Sequence, residues 1–267
     1  MRRAPAVAGR FYPARPADLR RELEGYIQPI AAREKALACV VPHAGIMYSG
    51  HVAGALYSRL EPVPRYIILC PNHTGYGAPL AIMSEGEWET PLGDVPIDSE
   101  LATDLKNACR LLEEDAGAHR FEHSLEVQLP FLQFMQKEFR FVPIALGVGR
   151  FDALEELGEA IAEVVKRAEP RPLIVASSDL NHYEPDNINR RKDHMAIERI
   201  LALDPRGLYD TVHRQDISMC GFGPAVSMLT AARKLGARDA ELVRYANSGD
   251  ITGDRSQVVG YAGILIR

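Results

Sequence analysis

Short apolar runs alternate with amphipathic stretches along this chain, and that alternation limits its possible folds more than any other feature. Ala36–Val41, Arg65–Cys70, Phe139–Leu146, Pro172–Ala176, Glu241–Ala246 and Val258–Ile266 are rich in Val, Ile, Leu and aromatics and read as strands. Between them, Asp18–Ile30, Ser49–Leu60, Ser99–Leu112, Leu125–Phe139, Asp152–Ala168, Asn187–Leu203 and Pro224–Leu235 repeat apolar residues three and four apart, the helical period. Gly236 stands where a helix-ending glycine belongs. Asp204-Pro205 is a cap followed by a first-turn proline and predicts a short helix over Arg206–His213. Pro130 requires the 125–139 helix to kink or to start later. The pattern predicts an α/β fold, one domain spanning 1–267, with a mixed or parallel central sheet flanked by helices.

Several function classes drop out. Lys plus Arg total 31 against 36 Asp plus Glu, a net charge of −5, which disfavours a nucleic-acid binder. No apolar run approaches the roughly 18 residues that cross a bilayer, and no apolar segment follows Met1-Arg2-Arg3 as in a secretory leader. Cys39, Cys70, Cys109 and Cys220 are scattered and form no CxxC pair, as expected of reduced thiols in a cytoplasmic protein.

Ligands in α/β folds bind beyond the carboxyl ends of the strands, so the residues that follow each strand matter most. Pro42-His43-Ala44-Gly45 follows the first, Pro71-Asn72-His73 the second, and Ser177-Ser178-Asp179-Leu180-Asn181-His182 a third. If these strands are parallel neighbours, His43, His73, Asp179 and His182 converge on one sheet edge. Any one of these histidines alone reads first as a hydrogen-bonded loop residue; their recurrence is what suggests a shared metal or catalytic site. Cys220, in Met219-Cys220-Gly221, opens a helix, and the positive helix end is expected to lower its pKa toward thiolate. Imidazole and thiolate together suit iron, copper or zinc.

His123 and Glu126 stand three apart, so on a helix they would share a face. They read either as acid/base or ligand-orienting groups beside the cleft, or as a helix cap with solvated charges. Asn247-Ser248-Gly249-Asp250 could line the same edge or form an ordinary turn. No complete GxGxxG, Walker loop, HExxH or GxSxG motif is present.

Taken together, Ala8-Gly9-Arg10-Phe11-Tyr12-Pro13, Val41-Pro42-His43-Ala44-Gly45, Tyr48-Ser49-Gly50, Pro71-Asn72-His73, Glu122-His123-Ser124-Leu125-Glu126-Val127-Gln128-Leu129-Pro130-Phe131, Ser177-Ser178-Asp179-Leu180-Asn181-His182-Tyr183, Cys220-Gly221 and Asn247-Ser248-Gly249-Asp250 resemble the Memo family, also called AmmeMemoRadiSam system protein B, over essentially the whole chain. The resemblance implies a fold similar to the class III extradiol ring-cleaving dioxygenases, in which two histidines and a carboxylate hold Fe(II). His43 and His73 match the two histidine positions and Cys220 the carboxylate position. Asp179 and His182 match neighbouring cleft positions, His182 where an acid/base histidine lies. His123, Glu126, Asn72 and Asp250 are the further cleft residues expected. The implied cofactor is Fe(II), with Cu or Zn as alternatives, because a thiolate favours softer ions. The implied activity is dioxygenase-like oxidation of a small molecule; the alternatives are a peptide-binding module and a copper- or iron-sequestering protein. The resemblance also implies radical SAM and AMMECR-type proteins as partners.

Overall fold

A computed structural model describes residues 1–30 and 32–267. Four short segments form the parallel centre of its main sheet: Ala38–Val41, Leu173–Ser177, Arg65–Pro71 and Arg140–Leu146, adjacent in that order. Val258–Ile266 joins antiparallel beside Ala38–Val41, and both Ala240–Asn247 and His182–Glu184 pair with it. At the other edge Leu80–Ile82 runs antiparallel to Arg140–Leu146 and carries Glu113–Glu114. Arg2–Arg3, Glu87–Thr90 and Gly93–Pro96 make a separate three-stranded sheet.

Period-two alternation divides the central side chains between two cores. Ala38, Val40, Ile67, Leu69, Ile174 and Ala176 face one, packed under the helices Phe151–Arg167 and Phe222–Lys234. Cys39, Val41, Tyr66, Ile68, Cys70 and Val175 face the other, under Pro16–Tyr26, Ile46–Arg59 and Gln128–Met135. Both faces are covered, which is why the strands read as unbroken apolar runs rather than alternating ones.

Local signals place most element ends. Asp204 caps Pro205–Arg214 by accepting from the Gly207 amide, and Gly236 takes φ 92° after Phe222–Lys234. The expected 125–139 helix is shorter, Gln128–Met135, with Pro130 in its first turn, where a missing N–H costs nothing. The Ser49–Leu60 helix begins earlier, at Ile46, because Gly45 rather than a polar side chain is its cap residue. Leu80–Ile82, Glu87–Thr90 and Gly93–Pro96 had no counterpart in the sequence reading; each is three or four residues long, too short to show a period.

Candidate metal centre

The strands ending at Val41, Pro71 and Ser177 are parallel neighbours, so the segments behind them meet. They bound a cleft of about 600 Å³ lined by His43, His73, His123, Asp179, His182 and Cys220, with Phe11, Tyr183 and Tyr261 among its walls.

His43 is buried, and its hydrogen bonds fix its tautomer. Its Nδ1 lies 2.9 Å from Ser177 Oγ. That hydroxyl donates its only hydrogen to the Ser124 carbonyl at 2.7 Å and accepts from Gln128 Nε2 at 2.8 Å. Its remaining lone pair must therefore accept, so Nδ1 carries the hydrogen and Nε2 presents a lone pair. Burial, followed by the nearby imidazoles of His123 and His73, pushes the His43 pKa well down, so the ring is neutral.

His73 Nδ1 is held 3.0 Å from Glu122 Oε1, and its backbone N–H donates to Glu122 Oε2 at 2.6 Å. Glu122 also accepts from the Ser124 amide and hydroxyl. Burial alone would raise the Glu122 pKa, but these hydrogen bonds outweigh it and hold the carboxylate down at about 2. A carboxylate that grips the far side of an imidazole orients it as a ligand and strengthens its basicity.

His123 stacks on His73, with centroids 4.7 Å apart and planes 23° apart, and packs against Phe11 at 4.7 Å. Burial pushes its pKa down as well. One nitrogen from each of His43, His73 and His123 lies within 4.8 Å of the others, and the group could hold a metal ion. Two of the three rings, His43 and His73, have Nδ1 tied back, which orients them as ligands.

Among the described residues this triad is the ligand group that closes within that distance, and its third member differs from the expected Cys220. The sulfur is nevertheless close: Cys220 Sγ lies 3.2 Å from His43 Nε2 and 3.7 Å from the Asp179 carbonyl. The expected lowering of its pKa does not occur. Burial, followed by the Asp179 carboxylate, pushes the thiol well up, and the N–H of Gly221 at the helix start is too weak to reverse it. Without a metal Cys220 is a neutral thiol.

Asp179 is buried, and its Oδ1 accepts from the His43 amide at 2.8 Å and the Ala44 amide at 3.3 Å. Its carboxyl ties the third strand end to the first. Burial raises its pKa. His182 lines the cleft with Nδ1 bound to the Ser218 carbonyl.

Three expected cleft residues lie elsewhere. His123 precedes, and Glu126 sits in, the turn at 124–127 ahead of the helix at Gln128, so the shared-face argument fails and the two side chains diverge. Glu126 is fully buried rather than solvated, and it clamps the N-terminal segment. Its oxygens accept from Arg3 Nη1 at 2.6 Å, the Ala6 and Val7 amides, and the Tyr12 hydroxyl. Asn72 closes the loop after its strand, accepting from Thr74 and Gly75 through Oδ1. Asp250 pairs with Arg190 and accepts from the Asn247 amide. Sequence reasoning gave no role to Glu122, Ser177 or Gln128, which orient the ligands. Their signal lay in adjacency: Glu122 precedes His123, and Ser177 closes the strand that carries Asp179.

A family model for Memo-like proteins matches residues 3–265. The chain belongs to the Memo family. MEMO1 family proteins of Methanosarcina barkeri and Methanopyrus kandleri are each 45% identical to it, covering 99% and 100% of this chain and 99% of their own lengths. One from Archaeoglobus fulgidus is 44% identical over 99% of both chains. The fold of this Memo-family chain is similar to that of an uncharacterised Escherichia coli K12 protein, with TM-score 0.57 and 12% identity, over 85% of this chain and 98% of that one. No helix among the described residues is long and apolar enough to cross a membrane.

Proposed function

We propose that the cleft is a redox metal centre, with Fe(II) as its first candidate ion and copper or zinc as alternatives, acting as a dioxygenase-like oxidoreductase on a small molecule. The observation that carries this reading is the triad, in which His43 and His73 are tied back through Nδ1 by Ser177 and Glu122. His43, His73 and His123 are the ligands, and Cys220 joins them as a thiolate once the ion is present. The 3.2 Å between Cys220 Sγ and His43 Nε2 supports its entry, because it puts the sulfur within reach of an ion that this nitrogen would hold. Such an ion supplies a positive charge and an open position at which an oxidant and a substrate meet.

The remaining roles belong to the chain. Phe11 and Tyr261 form apolar walls that exclude water. Asp179 holds the His43 backbone in place, and His182 moves a proton at the cleft. The resemblance to class III dioxygenases agrees with this division, and the sulfur donor separates the site from their usual ligand set.

Metal analysis of protein purified without chelators, followed by anaerobic Fe(II) titration, tests the reading. Near-stoichiometric metal is expected, lost in His43→Ala and His73→Ala and weakened in Cys220→Ser but not in Cys109→Ser. Absence of tight binding by iron, copper and zinc alike would remove the proposal and leave a peptide-binding cleft as the better account. Tight binding without turnover would instead indicate metal sequestration.

A further inference from the structure

His182 lines the cleft outside the triad, and its environment determines which of its nitrogens is free. Nδ1 lies 2.9 Å from the Ser218 carbonyl oxygen. A carbonyl can only accept, so Nδ1 carries the hydrogen. The Ser218 carbonyl is in turn held still. Ser218 donates through its backbone N–H at 2.9 Å and its hydroxyl at 3.1 Å, both to Asn181 Oδ1. The Ser218 hydroxyl also accepts the His182 backbone N–H at 2.8 Å.

Asn181 is fully buried with every polar group partnered. Its Nδ2 donates to Glu184 Oε2 at 2.6 Å and Asn189 Oδ1 at 2.9 Å. Its backbone N–H donates to Asp193 Oδ1 at 2.8 Å, and its carbonyl accepts from the Gly260 amide at 3.0 Å. This one side chain joins the strand that carries His182 to the loop that carries Ser218 and Cys220.

A second feature marks the same spot. His182 pairs with Val259 and Glu184 with the adjacent Val258, so Tyr183 bulges out between them. Tyr183 takes φ 59°, a left-handed conformation that a bulky residue adopts only under constraint. Bulges of this kind re-aim a neighbouring side chain, and such strain survives where surrounding bonds impose it.

The geometry points to Asn181 as a positioning residue that, through the Ser218 carbonyl, fixes His182 as the Nδ1–H tautomer and leaves Nε2 as a proton acceptor for the cleft. The inference rests on the reading of His182 as the proton-transfer group. It deepens that reading by assigning which nitrogen acts and what sets it.

The test is long-range ¹⁵N–¹H correlation NMR on ¹⁵N-histidine protein freed of metal by a chelator, at a pH where imidazoles are neutral. His182 is assigned through the signal missing in His182→Asn. The native protein should show a pyrrole-type Nδ1 and a pyridine-type Nε2 at His182. In Asn181→Ala the pattern should shift toward Nε2–H, the tautomer that free histidine prefers. Asn181→Asp combined with Glu184→Gln keeps an acceptor facing Ser218 and reverses the 2.6 Å bond to residue 184 without setting two carboxylates together; it should restore Nδ1–H, which a purely structural role would not predict. A native His182 in the Nε2–H form overturns the inference. So does a folded Asn181→Ala that keeps the native pattern, or a folded double variant that loses it. If either variant fails to fold, the native spectrum and the other variant still decide. The measurement needs neither metal nor substrate, so a failed metal titration would defeat the proposed function while this result stands.

Discussion

Replacing Glu126 with Gln tests what holds the N-terminal segment against the metal centre. The native carboxylate is fully buried and takes four donors: Arg3 and the Ala6 amide on one oxygen, the Val7 amide and Tyr12 hydroxyl on the other. Arg3 itself is only 6% exposed and lies over Trp88 at 4.0 Å. Glutamine keeps the shape, but whichever way its amide turns, an NH₂ group faces two donors. It also leaves the Arg3 cation without a counter-charge. Breaking one side of a buried ion pair costs about 3–5 kcal/mol, which for a chain of this size lowers Tm by roughly 5–9 °C. The loss can be absorbed locally if residues 1–13 detach, and Phe11 then leaves His123. Equilibrium denaturation measures the first effect, and hydrogen exchange at Ala6 and Val7 measures the second. Substituting Leu at both Arg3 and Glu126 should cost less than the two single changes added together, because no charge is stranded. A Glu126→Gln protein within about 1 kcal/mol of native, a change typical of a surface site, with Ala6 and Val7 still protected, would refute the reasoning.

Gly221→Ala should weaken metal binding and cost about 1–3 kcal/mol, because a Cβ there would lie 2.3 Å from Ser178 Cβ and would push the Cys220 loop off the strand end; native-like titration curves would contradict this. Burial, against hydrogen bonds from Tyr245 and Asn181, raises the Asp193 pKa to about 6. The folded protein therefore holds the extra proton between about pH 4 and 6, and stability from this group is present at the acid end and lost as pH rises through 6. Asp193→Asn, which cannot ionise, should close its stability gap to native by on the order of 3 kcal/mol across that window; a gap that stays constant or widens in denaturation at several pH values counts against it. Metal-free Cys220, with its thiol pKa raised, should alkylate with iodoacetamide at neutral pH more slowly than free cysteine, as mass spectrometry of the modified peptide would report.

The central strands and the long helices were legible because burial leaves a simple imprint. Val258–Ile266 matches its sequence-based bounds, and the Asp204 and Gly236 signals fall at real helix ends. The meeting of His43, His73, Asp179 and His182 followed from topology alone, since parallel neighbours deliver their following loops to one edge. What failed was local geometry without a period. Residues 124–127 are turns, so a helical spacing rule sent Glu126 to the cleft when it points to Arg3. The Cys220 pKa was misjudged for another reason: a helix end provides a modest field, whereas desolvation and a nearby carboxylate are properties of the packed site that composition does not record.

Whether Cys220 enters the metal's coordination can be settled by counting protons. His43 and His123 have pKa values pushed below the usual histidine range, so near neutral pH they are unprotonated before any ion arrives. Glu122 is already a carboxylate. Ligation by His43 and His123 therefore displaces almost no protons, and comparison with Cys220→Ser cancels what the rest of the site contributes. Cys220 begins as a neutral thiol and must lose its hydrogen to become a ligand, so its entry adds about one proton per ion. Calorimetric titration of metal into the protein, repeated in buffers of different ionisation enthalpy, yields that count directly. The native chain is expected to release about one proton more per ion than Cys220→Ser, with weaker binding in the variant. A native count near zero would place the sulfur outside the coordination sphere and leave a three-histidine centre. The same result in both proteins would show that the 3.2 Å contact with His43 is an ordinary S–H···N hydrogen bond.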